Sequence, residues 1–152
     1  LDKNAHSLFD DTALTPVRAQ VLMTNPRKRI VAVVSDLMFM VKIQEAAKRA
    51  GLDVVFTKSR EDALAQAQLQ PAVMILDLNG TSVDAIELIG VLKAQSETKE
   101  VDLIGYVSHV QADLKQAAQK KGCDTVIARS AFSQNLPAIL KRYAETLQIA
   151  QA

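Results

Sequence analysis

Tryptophan is absent from these 152 residues, cysteine occurs once, and proline and glycine number only four and five. Each scarcity removes a class of explanation. A lone Cys123 can form neither an internal disulfide, nor a zinc-type Cys/His set, nor a redox pair, and it suits a reducing interior. Two tyrosines and four phenylalanines leave little to build the stacking surfaces of a flavin pocket. No apolar run approaches the roughly 20 residues that cross a bilayer. The first residues lack the charged-then-apolar order of a secretory signal, so the expected location is the cytoplasm. Charge of one sign is missing too: 18 Lys and Arg face 17 Asp and Glu, and a net +1 creates no field that gathers nucleic acid or an anionic membrane. The cluster Arg27-Lys28-Arg29 is accordingly read as a solvated flank.

What is present is a core. Nearly half of the chain, 49%, is hydrophobic, enough for one domain at this length. Residues 1–22 show no sustained periodicity and are set apart as a leader, either foreign to the domain or disordered, carrying His6 with no role. The domain is taken as 23–152. From Ile30 onward, short apolar runs at 30–34, 54–56, 73–76, 103–107 and 126–128 alternate with segments of helical period. That alternation marks an α/β fold of five strands around a mainly parallel sheet. The first, third and fourth runs are apolar without alternation, as central strands covered on both faces must be. Gly51 and Gly122 follow the first and fourth helical segments where a left-handed cap is wanted, and Ser59 with Asp62 resembles a capping box.

In an open α/β sheet, the functional crevice lies beyond the carboxyl ends of the strands. Here the first run ends in Ser35-Asp36, the third in Asp77-Leu78-Asn79, the fourth in Val107-Ser108-His109 and the fifth in Arg129-Ser130. Asp36, Asp77 and the backbone carbonyl of Asn79, with waters, make the sparse oxygen set that magnesium accepts. Asp77 has the chemistry of a nucleophile toward phosphorus, with a nearby cation to neutralise the transferred group and the Ser108 hydroxyl to bind it.

Taken in order, Val33-Val34-Ser35-Asp36, Ile75-Leu76-Asp77-Leu78-Asn79, Val107-Ser108 and Ala128-Arg129-Ser130 resemble the signature strand ends of response-regulator receiver domains over roughly residues 29–147. The resemblance implies a flavodoxin-like, doubly wound sheet of order 2-1-3-4-5 with helices on both faces. It puts Asp77 at the phospho-acceptor position, Asp36 at the second of two magnesium-holding acids, Ser108 near the conserved hydroxyl and Arg129 where the family carries lysine. It further implies a non-enzymatic, stand-alone module of two-component signalling, a histidine kinase or phosphotransfer protein as donor, an unidentified downstream protein as output, and room for a homodimer.

The departures define what to test. Ser35 replaces the first acid of the pair and weakens the magnesium site. Arg129 is a broad planar cation in place of a compact ammonium. Ser130 replaces a proline, and Val126 stands where an aromatic switch residue is common. Ser108 lies one residue closer to Arg129 than the family hydroxyl, so either the loop is shorter or Val107 takes its place.

Structural roles compete at each position. Asp36 doubles as an N-terminal cap for the first helix, and Asp84 caps the third more readily than it binds metal. Arg129 can lock the crevice by pairing with Asp77 or Asp36. His109 is read as a solvent-facing loop residue, and Gly80 as a turn glycine with an awkward backbone angle. Met38-Phe39-Met40-Val41 is either core or a contact patch. The alternatives to a phospho-acceptor are a phosphorylation-independent pseudo-receiver and, less favoured, a small flavodoxin-like enzyme or ligand carrier. Against the last, no phosphate-cradling glycine loop, dinucleotide fingerprint or nucleophile elbow follows any strand.

Overall fold

The computed structural model describes residues 28–108 and 111–151, with side chains described as far as residue 146. The leader 1–22, His6, Arg27 and His109 lie outside the described residues, as does the side chain of Leu147. Among the described residues five strands and five helices alternate: β1 (Arg29–Val33), α1 (Leu37–Ala50), β2 (Asp53–Thr57), α2 (Arg60–Ala67), β3 (Val73–Asp77), α3 (Ala85–Ala94), β4 (Leu103–Val107), α4 (Ala112–Lys121), β5 (Thr125–Ala128) and α5 (Arg129–Gln151). All pairings are parallel and the strand order is β2-β1-β3-β4-β5, as the sequence predicts.

The sheet is buried from both sides because its central strands carry large apolar residues on both faces. β1 and β4 are buried throughout, and β3 is buried up to Asp77. One face sends Val31, Met74, Leu76 and Leu103 against Ala63 and Ala67 of α2, Leu88, Ile89 and Leu92 of α3, and Ala118 of α4. The other sends Ile30, Ala32, Ile75 and Tyr106 against Phe39 and Ile43 of α1 and Phe132, Leu136 and Leu140 of α5. Burying one such Leu, Ile or Phe side chain stabilises the fold by about 1.5–3 kcal/mol. Arg29 departs from the solvated-flank expectation. Lys28 is exposed, but Arg29 opens β1 at 5% exposure, drawn inward by the strand it begins.

Local signals place the helices. Asp36, Ser59 and Asp84 each accept a backbone N–H three residues on, from Phe39, Asp62 and Glu87, and so start α1, α2 and α3. Gly51 (φ 76°) and Gly122 (φ 105°) end α1 and α4 in the left-handed region. Gly80 does not take such an angle; the glycines with positive φ among the described residues are Gly51 and Gly122. Its requirement is space, since a Cβ there would lie 3.2 Å from the carbonyl oxygen of Asp77.

Candidate functional site

Strand order reverses between β1 and β3, so the crevice beyond their carboxyl ends is where the fold gathers side chains. Asp36 stands there at the start of α1, Asp77 at the last position of β3, Ser108 just past β4 and Arg129 at the first turn of α5. Asp36, Ser108 and Arg129 share a groove of about 380 Å³ with Met38, Phe39, Lys42, Ser130 and Ser133. Asp77 faces a far smaller space, about 10 Å³, on the side of β1 and β2 with Ser35, Thr57, Lys58, Gly80 and Ser82. That is room for about one water.

The carboxylates differ in environment. Asp36 is partly exposed and holds two partners: its Oδ1 accepts from the Phe39 N–H at 3.2 Å, and its Oδ2 accepts from Arg129 Nη2 at 2.7 Å. The guanidinium, and then the helix N–H, hold its carboxyl below the usual carboxylate range. Asp77 is half-buried, and this desolvation raises its carboxyl above the usual range despite the Asn79 N–H on Oδ1 at 2.9 Å. The open question of Arg129's partner is thereby answered in favour of Asp36. Arg129 also lies over the Phe39 ring, 4.8 Å from its centroid.

Asn79 does more than the carbonyl role the sequence suggested. Its side-chain oxygen accepts from the Ser108 N–H at 2.9 Å, and its side-chain amide donates to the Gln111 side chain. The turn after β3 is thus tied to the segment after β4. Gln111 precedes α4 but makes no side-chain cap for it, its side-chain oxygen being engaged by Asn79 instead. Val107 is buried against the α2–α4 face, and Ser108 lines the groove together with Ser130 and Ser133.

Tyr106, in the sequence a member of the apolar 103–107 run with no site role, also stands at the crevice. It pairs in register with Asp77 and points to the same face. Its ring packs at 4.6 Å from Phe39 and stacks at 5.2 Å on Phe132. The buried phenol oxygen makes no well-formed hydrogen bond among the described residues. It lies close enough to Asp77, Arg129 and Asp36 to feel their charges, and burial pushes its pKa up. Val126, in place of an aromatic, is partly buried on the opposite face. The apolar run of α1 divides: Phe39 is core, whereas Met38 (74%) and Val41 (54%) are exposed beside Leu37 (71%).

Asp36, Asp77 and the Asn79 carbonyl are the donors available to a divalent cation. Among the described residues no group of three or more His, Cys, Asp or Glu side chains could hold a metal ion. With Arg129 on Asp36 the donors do not fit such an ion, because its approach would have to displace the guanidinium. No helix among the described residues is long and apolar enough to cross a membrane.

No protein-family model and no curated protein sequence matches the chain. Solved structures do. The phosphorylated cyanobacterial phytochrome response regulator RcpA is similar at 22% identity and TM-score 0.64, over 78% of this chain and 92% of that one. The chemotaxis response regulator CheY4 of Vibrio cholerae is similar at 21% identity and TM-score 0.65, over 76% and 97%. The receiver domain of a sensor histidine kinase of Pseudomonas aeruginosa, with magnesium coordinated in its active-site cleft, is similar at 16% identity and TM-score 0.65, over 77% and 97%. The chain has the flavodoxin-like fold of response-regulator receiver domains.

Proposed function

We propose that this chain is a receiver-type signalling module in which Asp77 accepts a phosphoryl group from a histidine kinase or phosphotransfer protein and the output leaves through protein contacts. The observation that carries this reading is the convergence of Asp77, Asp36, Ser108 and Arg129 at the carboxyl end of a receiver-fold sheet. The Asn79 N–H orients the Asp77 carboxylate. A carboxylate oxygen attacks phosphorus, the donor's P–N bond breaks as the O–P bond forms, and the imidazole leaves with its electron pair and is protonated. Arg129 supplies positive charge beside the new phosphoryl oxygens, and Ser108 a hydroxyl donor. Exposed Leu37, Met38 and Val41 flank the crevice and suit a protein donor's apolar surface. The module acts by contact and not by turnover on a substrate, and it uses neither nucleic acid nor membrane.

A second reading is favoured by one observation, the Arg129–Asp36 pair at 2.7 Å. A crevice locked in this way serves a pseudo-receiver that binds its partner without phosphorylation. Intact mass after incubation with a small phosphodonor, with and without magnesium, separates the two. One added phosphoryl group on the native chain and none on Asp77→Asn supports the acceptor. No adduct, together with no response to a beryllium fluoride mimic, leaves the pseudo-receiver.

A further inference from the structure

The acids lining the crevice are already outnumbered by cations without a metal. Two carboxylates, Asp36 and Asp77, are set among Lys42, Lys58 and Arg129, so the lining is cationic by one unit before any ion binds. Ser35 contributes a hydroxyl where another acid would have added a charge. Lys42 donates to the Ser133 hydroxyl at 2.9 Å, whereas Arg129 is bound to a crevice carboxylate. One amino group donates to Asp36 Oδ2 at 2.7 Å, and the guanidinium lies over the Phe39 ring. That ring is itself immobilised against Tyr106 and Phe132. Asp36 in turn is held by the Phe39 N–H it caps. Arrival of a dication would cost the ion pair, raise the excess positive charge to three units and leave a guanidinium without its carboxylate.

We infer that Arg129 is the resident cation of this crevice: its guanidinium takes the place of a divalent ion on Asp36, and the native site excludes magnesium. The inference goes beyond the assignment of Asp77, since it concerns which cation the crevice holds whether or not a phosphoryl group is accepted.

The test is a titration of the native, full-length protein with magnesium chloride, and separately with manganese as a paramagnetic probe. It is followed through the amide signals of Ser35, Asp36, Asp77, Asn79 and Ser108 and the Arg129 side-chain N–H signals. The native chain is expected to show no saturable shift at millimolar magnesium and no selective broadening of these signals by manganese. Arg129→Gln, and Arg129→Met as a second variant that keeps an aliphatic contact with Phe39, are expected to bind magnesium at least about tenfold more tightly than the native chain, because a unit charge is removed at contact distance from a ligand. Saturable binding by the native chain, with its Arg129 signals moving in step, overturns the inference. So does a folded variant that binds magnesium no better than the native protein. The titration contains no phosphodonor, so its failure leaves the phospho-acceptor reading standing.

Discussion

Asp36 and Asp77 lie at the same end of one sheet and respond oppositely to pH. Asp36 is held below its ordinary value by Arg129 and the Phe39 N–H. Its stabilising contribution is therefore full above the ordinary carboxylate range and is lost as pH falls through the depressed value. Asp36→Ala removes a helix cap and is expected to cost about 1 kcal/mol in urea unfolding near neutral pH. The ion pair adds little, since both partners are substantially exposed. The gap between variant and native chain should narrow in acid; a gap that stays constant down to strongly acid pH argues against the capping account. Asp77 has the reverse sign. Burial raises its pKa, so the folded state is favoured below the ordinary range and loses that advantage as pH rises through the raised value. Asp77→Asn keeps an oxygen for the Asn79 N–H and is expected to raise Tm at neutral pH and to match the native chain in acid. The sequence made both acids visible because each ends an apolar run. It could not reveal which of them Arg129 would choose, since the answer depends on how α5 meets α1 across residues 93 positions apart. Tyr106 was invisible for a related reason: a tyrosine inside an apolar strand looks the same whether its hydroxyl meets solvent, core or a carboxylate.

At the scale of elements, the helices were the more legible. Ser59, Asp84, Gly51 and Gly122 are local signals, and each sits in the cap that its chemistry predicts. Less local features escaped. Gln70 adopts φ 60° ahead of Pro71, where a non-glycine residue is uncommon. Gly105 of β4 exists for the Leu78 side chain, whose carbons would lie 3.0–3.1 Å from an added Cβ. Gly105→Ala is accordingly expected to destabilise by about 1–3 kcal/mol, as overpacking of a tight core does. Denaturant midpoints check this, and a neutral substitution would mean that Leu78 has room to move. Pro137 lies inside α5 on its exposed side, where it removes a helical N–H. Pro137→Ala restores that N–H and is expected to stabilise the domain by up to about 3 kcal/mol, read from denaturant midpoints.

For the whole molecule, the parallel order sets a gradient of protection. β1, β3 and β4 are paired on both sides and buried, whereas β2 and β5 are edges with partly exposed residues. Amide hydrogen exchange should therefore be slowest at Ile30–Val33, Val73–Leu76 and Leu103–Val107 and faster in β2 and β5. Equal protection in edges and centre would contradict the single-sheet packing. This level was the most legible of all. A buried-run pattern of central strands, with helices between, leaves few topologies open.

The stack of Phe39, Tyr106 and Phe132 has an optical meaning. The chain lacks tryptophan, so light absorbed by its tyrosines cannot drain into an indole and emerges as tyrosine emission. Of the two emitters, Tyr143 donates its hydroxyl to the carboxylate of Asp102, an arrangement that quenches. Tyr106 packs against both phenylalanine rings, which also touch each other, close to Asp77 and Arg129. Its ultraviolet fluorescence is thus a label-free reporter on the crevice, sensitive to any change of charge above the ring and needing no added dye.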